Sequence, residues 1–188
     1  MAGRFGVIGC GYVGAAAACH FGQMGLEVTG TTTSPSRLQE LCGIVDHPRI
    51  YRAGDSRSDA SFLDSLDGLL IAIAPTTMSM EEDQYRSVYG TGVSALVESI
   101  KARESDRPLH VSYLSSAGVY GNQFGEICDE SSPTDRSNSA NALLADAENA
   151  VLALNDFGTS ACVLRLGGIY GPNKDIASYI RSASGQMV

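Results

Sequence analysis

The sequence predicts an α/β fold, a doubly wound and mostly parallel sheet of six to seven strands. Two observations carry that expectation. Short apolar strand patterns alternate with helical patterns along the whole chain, which is the signature of βαβ units. A glycine-rich turn, Gly9-Cys10-Gly11-Tyr12-Val13-Gly14, sits between the first strand and the first helix. A length of 188 residues suits one domain.

The elements follow in order. Arg4 to Gly9 reads as a short buried strand, and Tyr12 to Gly25 as an Ala-rich helix with Gly25 as its end cap. Glu27 to Thr32 is a second strand. Ser34 and Pro35 open a helix through Cys42, with Ser34 as N-cap and Pro35 in the first turn. A third strand is expected near Arg49 to Arg52 and a short helix over Asp59 to Ser65. Gly68 to Ala74 is a continuous apolar run, as a central parallel strand requires. Tyr85, Val88, Tyr89, Val93, Leu96, Val97 and Ile100 recur at helical spacing within one long helix, Glu81 to Glu104. Leu109 to Ser115 is the fifth strand, Asn141 to Phe157 a helix ended by Gly158, and Ala161 to Leu166 the sixth strand. Ile176 to Ala183 suggests one more short helix. The polar loop from Gly121 to Asn138 follows the fifth strand, at the carboxyl edge where ligands bind.

Composition excludes several classes. Apolar residues make up 44% of the chain and charged residues 18%, as in soluble globular proteins. Net charge is −8, and the 13 Lys and Arg form no basic run. Nucleic acid and anionic membrane surfaces are therefore not expected partners. No apolar run approaches the roughly 18 residues of a membrane span, and the chain moves directly from its start into a strand pattern without a signal peptide. Cys10, Cys19, Cys42, Cys128 and Cys162 form no CxxC and no His cluster. No metal site or disulfide framework is expected, and the five read as reduced core thiols of a cytoplasmic protein.

The glycine turn carries the chemistry. Gly9 permits the tight turn, Gly11 lets a pyrophosphate approach the backbone, and Gly14 allows helix to pack closely on strand. Phosphate charge then meets the free N–H groups of the helix that Tyr12 and Val13 begin. This is the dinucleotide fingerprint of the Rossmann fold. An acidic residue is expected at the end of the second strand to hold a ribose 2′-hydroxyl. The sequence there is Gly30-Thr31-Thr32-Thr33-Ser34-Pro35-Ser36-Arg37. The hydroxyls of Thr31, Thr32 and Ser34 with the Arg37 cation suit a 2′-phosphate, which a carboxylate would repel. NADP is expected ahead of NAD. Asp55, after the third strand, is placed against the adenine or as a cap of its own turn, and Ala74, ending the fourth strand, joins the cofactor set.

Further motifs resemble one family. Leu114-Ser115-Ser116-Ala117-Gly118-Val119-Tyr120-Gly121 resembles the SSxxVYG segment of extended short-chain dehydrogenases/reductases, the NAD-dependent epimerase/dehydratase superfamily. Leu164-Arg165-Leu166-Gly167-Gly168-Ile169-Tyr170-Gly171-Pro172 resembles their LRxxxxYGP segment. Tyr85 to Gly92 sits where they carry a helix beneath the cofactor. The resemblance covers nearly the whole chain. It implies hydride transfer on a nucleotide sugar or a similar hydroxylated small molecule, with Ser116 orienting the substrate hydroxyl and Ser115 near the nicotinamide.

Three departures stand out. The turn is GxGxxG where most extended members carry GxxGxxG, which resembles an atypical subgroup. The catalytic YxxxK is missing. With Ala147-Glu148 as the anchor of register, Ala140 holds the Tyr position and Leu144 the Lys position. Neither can exchange a proton or supply a charge. Only 16 residues follow Pro172, whereas extended members continue into a substrate lobe. The expectation is one NAD(P)-binding domain over 1–188, with that lobe absent or truncated after about residue 172. An exposed apolar patch in its place predicts self-association as a homodimer.

Tyr113 and Tyr120 are the substitute acids within reach of the fifth strand. Arg165 needs a carboxylate or phosphate partner. Asp129-Glu130 resemble the family's acidic loop segment, and Asn173 and Lys174 follow Pro172 where the family meets cofactor or substrate. Two functions are therefore expected as alternatives: an atypical epimerase/dehydratase-like oxidoreductase, or a catalytically inactive NADP-binding sensor.

Overall fold

The computed structural model describes residues 2–75 and 82–177. Its strands are β1 (Arg4–Ile8), β2 (Glu27–Thr32), β3 (His47–Ile50), β4 (Gly68–Ile71), β5 (His110–Ser116) and β6 (Ser160–Leu166). They form one six-stranded sheet in the order β3-β2-β1-β4-β5-β6, and every pair is parallel. This is the doubly wound Rossmann arrangement. The order reverses between β1 and β4, and the carboxyl edge there is where such sheets bind ligands.

Side-chain alternation divides the core into two layers. Val7 and Leu70 point to one face and pack with Ala18 of α1 (Tyr12–Gln23) and Leu41 of α2 (Leu38–Leu41). Ile8, Leu69 and Ile71 point to the other. There they meet Leu96 and Ile100 of α4 (Val93–Lys101) and Leu144 and Val151 of α5 (Ser139–Leu152).

Several boundaries differ from the sequence reading. β3 begins two residues earlier than expected, because its register is set by pairing with Thr29 to Thr32. β4 ends at Ile71; the Ala72 N–H still donates to the Ile8 carbonyl at 2.8 Å, and Ile73 and Ala74 lead out of the sheet. The Ser34 hydroxyl caps no helix. A 3-10 turn, Pro35–Arg37, leads into α2, and Ser34 Oγ lies 2.8 Å from Ser36 Oγ. The long helix is divided into α3 (Glu82–Tyr85), a π-helical stretch Arg86–Gly92 and α4. α5 starts at Ser139, with Asn138 Oδ1 accepting from the Asn141 N–H at 2.8 Å. The helix expected over residues 176–183 lies almost wholly outside the described residues. Of the five free cysteines only Cys10 is buried, so the core reading of the other four is corrected.

The amino edge of the sheet is tied by ions. Asp67 accepts from the Arg4 backbone N–H at 2.8 Å and from the Arg107 guanidinium, and these bonds hold its carboxyl below its ordinary value. His47 and Arg4 lower Glu27, Arg57 brings Asp55 down to about 2, and loop N–H and hydroxyl donors lower Asp129 and Asp135. A lowered folded-state pKa gives stability that is present above the unfolded carboxylate range and lost as pH falls. The melting temperature should therefore drop steadily between about pH 5 and pH 3. Asp67→Asn should flatten that drop. A melting temperature constant across this range would overturn the assignment.

Candidate functional site

The carboxyl ends of β1, β2, β4 and β5 open onto a cleft of about 880 Å³, a volume suited to a small-molecule ligand. Gly9, Gly11, Tyr12 and Val13 form one wall. Gly9 has φ +91°, a left-handed conformation that favours glycine. β2 holds the turn from behind: Thr31 Oγ1 accepts from the Gly9 N–H at 3.0 Å, and the Thr31 carbonyl accepts from the Cys10 N–H at 2.8 Å. A Cβ at Gly14 would run into the Gly9 carbonyl oxygen, so only glycine lets α1 approach β1 this closely. Gly14 thus shapes the turn without lining the cleft.

The N-terminus of α1 points into this wall. Its N-cap is Gly11, no side chain caps it, and its first turn carries no acidic residue. The orphan N–H groups and the positive end of the helix dipole are therefore free for an anion. Burial pushes the Cys10 thiol up, which keeps it protonated in the turn.

Thr32, Thr33 and Arg37 line the cleft beyond β2. Arg37 Nη2 donates to the Cys10 carbonyl at 3.1 Å, and its Nε lies 3.6 Å from Glu40. Ser34 and Asp55 lie outside the lining. Asp55 instead holds Arg57 through bonds of 3.0 and 2.9 Å. Tyr51, Arg52 and Ala53, which the sequence reading passed over, line this end. Their signal was positional: they directly follow β3 at the same carboxyl edge as the glycine turn.

Ala74, Ser115 and Ser116 line the opposite end, with Val88 and Tyr89 from the π-helical stretch. Such stretches recur at functional sites. Burial pushes the Tyr89 phenol up to about 12, so it remains a neutral hydrogen-bond donor at neutral pH. Ser116 Oγ accepts from the Gly118 N–H at 3.1 Å. Ser115 Oγ donates to Glu148 Oε1 at 2.5 Å. Glu148 is only 2% exposed, and Arg165 Nη2 donates to its Oε2 at 2.7 Å. Arg165 Nη1 also donates to the Tyr120 hydroxyl at 2.8 Å, which in turn donates to the Asp129 carbonyl at 2.7 Å. The carboxylate partner expected for Arg165 is therefore Glu148, seen in the sequence only as a marker of register. Glu148 and the Tyr120 oxygen push the Arg165 guanidinium further up.

This network settles the substitute acids. The Tyr120 proton is committed to a backbone carbonyl. Tyr113 is fully buried, its hydroxyl has no hydrogen-bond partner among the described residues, and burial pushes it up. It does not line the cleft. Leu144 is 6% exposed and packed in the core, so the Lys position holds no charge and lies outside the lining. Asp129 is engaged by Ser131 and Ser132. Among the described residues no group of three His, Cys, Asp or Glu is placed to hold a metal, and no helix is long and apolar enough to cross a membrane.

Residues 7–187 match the model of the NAD dependent epimerase/dehydratase family. The chain belongs to that family. It is 28% identical over 176 residues to Protein YeeZ of Escherichia coli K12, covering 91% of this chain and 60% of YeeZ. Solved structures share the fold. A putative epimerase from Burkholderia cenocepacia superposes with a TM-score of 0.72 at 22% identity, over 96% of this chain and 62% of that one. The UDP-glucuronic acid 4-epimerase of Bacillus cereus, solved with NAD, gives 0.70 at 17%, over 90% and 58%. A short-chain dehydrogenase/reductase superfamily protein of Agrobacterium tumefaciens with bound NAD gives 0.68 at 19%, over 86% and 48%. The chain thus spans about half to three fifths of the length of these relatives.

Proposed function

We propose that this chain binds a nicotinamide dinucleotide in the cleft, with NADP preferred over NAD. The observation that carries it is the uncapped, acid-free N-terminus of α1, set by the Gly9 turn in the wall of a cleft at the strand-order reversal. The residues fit the group: a turn that only glycine at position 14 allows to pack so closely, open space beside Gly11, a hydroxyl and guanidinium set after β2, and apolar Ala72 to Ala74 at the exit of β4. Bound there, the dinucleotide supplies hydride transfer. The chain's own residues bind and orient. Thr31 braces the turn, Arg37 offers its cation beside Thr32 and Thr33, and Ser116 presents a hydroxyl at the β5 end.

The NADP preference rests on Arg37 and on the missing carboxylate after β2, with Arg52 adding a second cation at that end. Calorimetric titration should give NADP binding about tenfold tighter than NAD. Arg37→Ala should remove most of that difference while leaving NAD affinity unchanged. Equal affinities in the parent chain would overturn the preference, and no binding of either would overturn the whole reading.

For turnover we propose an epimerase/dehydratase-like oxidoreduction of a hydroxylated sugar nucleotide, on the strength of the family. A second reading is favoured by one observation: Ala140 and Leu144 stand where the family places its proton-transfer pair, and neither Tyr113, buried outside the cleft, nor Tyr120, bonded to the Asp129 carbonyl, replaces it. In that reading the chain binds the cofactor and reports its level as a sensor. Cofactor oxidation assayed with sugar nucleotides separates the two, since sustained turnover excludes the sensor. One domain over 1–188, a homodimer, and a cytoplasmic location with five free thiols belong to the same proposal.

A further inference from the structure

The loop after β6 returns across the mouth of the cleft and closes on α1, 160 residues away in the chain. Gly171 and Lys174 exchange backbone hydrogen bonds of 2.9 Å each way, which makes the segment a tight turn. Gly171 has φ +149° and Asn173 φ +62°. The turn is fastened to one side chain. The Tyr12 hydroxyl donates to the Pro172 carbonyl at 2.9 Å. A Cβ at Gly171 would sit 2.6 Å from that hydroxyl, so a glycine is needed for the fit. Lys174 Nζ then lies 4.5 Å from the centre of the Tyr12 ring, in cation–π range.

Tyr12 is the first residue of α1, and Lys174 lines the same cleft as Gly9, Gly11 and Tyr12. On a chain of net charge −8, this lysine is held beside the uncapped N-terminus of α1. We propose that Lys174 is a ligand of the dinucleotide's pyrophosphate, held over the N-terminus of α1 by the Tyr12 ring and by the Gly171–Lys174 turn. Helix N–H groups receive the phosphate from below, and the ammonium receives it from above. The proposal rests on the dinucleotide reading of the cleft. It assigns a third role to Tyr12, whose backbone begins the helix, whose ring orients the lysine and whose hydroxyl latches the turn.

The test is calorimetric titration of the full chain and two variants with NAD, NADP and ADP-ribose. Lys174→Gln should weaken all three by the same factor, about tenfold, because all three carry the pyrophosphate. Tyr12→Phe keeps the ring and loses the latch. It should weaken all three about threefold, the loss expected of one neutral hydrogen bond. Melting temperatures of the variants report that the fold is intact. Lys174→Gln affinities within twofold of the parent overturn the proposal and leave the dinucleotide reading standing. Weakening confined to NADP places the lysine at the 2′-phosphate and also overturns it. A parent chain that binds none of the three ligands overturns both.

Discussion

Gly11→Asp should reduce dinucleotide affinity at least 100-fold with the fold intact. The structure separates the two effects. Among the described residues nothing lies within 4 Å of a Cβ built at Gly11, and its φ of −77° is not left-handed. A side chain there meets no clash. It does project where the helix N–H groups await phosphate, and no acidic residue occupies that first turn now. A carboxylate satisfies those N–H groups internally and opposes the ligand's charge. Like-charge juxtaposition of this kind costs several kcal/mol, so the factor of at least about 100 follows. An aspartate at the start of α1 also complements the helix dipole, so the melting temperature should hold or rise slightly. Gly11→Ala is the control, filling the same space without charge. Binding unchanged in the aspartate variant would remove the phosphate site from α1, and the cleft's function with it.

The sequence showed most of what backbone periodicity and glycine chemistry encode. β2 has the bounds expected from its residues, and the glycine turn lies where a strand must hand over to a helix. It showed less wherever tertiary pairing decides. β3 is largely exposed and apolar only in part, so its register comes from β2 rather than from any pattern of its own. The apolar run of β4 continues past its last paired residues: the Ala72 N–H still donates to the Ile8 carbonyl at 2.8 Å, and Ala72 to Ala74 line the cleft. The seven-residue π-helical stretch carries the same apolar spacing as an α-helix at this resolution of pattern. The hydroxyl cluster after β2 was legible as a set, but not its division of labour: Thr31 turns back to brace Gly9, Thr32 accepts from the Ser34 N–H at 3.2 Å, and Arg37 faces the cleft. Glu148 and Arg165 lie 17 residues apart on a helix and a strand. Only the packing of α5 on β5 and β6 brings them together, and no local signal in the sequence could.

Arg165→Met should destabilise the fold strongly. Methionine fills much of the same space, so the loss reads the charge and its hydrogen bonds rather than a cavity. It leaves the Glu148 carboxylate buried, with the Ser115 hydroxyl at its Oε1 and nothing for Oε2, where Arg165 now donates at 2.7 Å. Breaking a buried pair from one side costs about 3–5 kcal/mol. The Arg165 side chain retains 21% exposure, which places the expected cost near the lower end, about 3 kcal/mol. For a domain of this size that corresponds to a fall of about 6–12 °C in melting temperature. The Tyr120 hydroxyl loses a donor at the same time, so the loop it anchors through Asp129 should become more sensitive to proteolysis. The double variant Arg165→Met/Glu148→Met replaces both ions with apolar volume and should recover most of the loss, because the penalty comes from the orphaned charge. If the double variant melts as low as Arg165→Met, the pair serves the packing of α5 on β6 and its electrostatics contribute little. If Arg165→Met melts with the parent, solvent reaches Glu148 and the network is not a closed one.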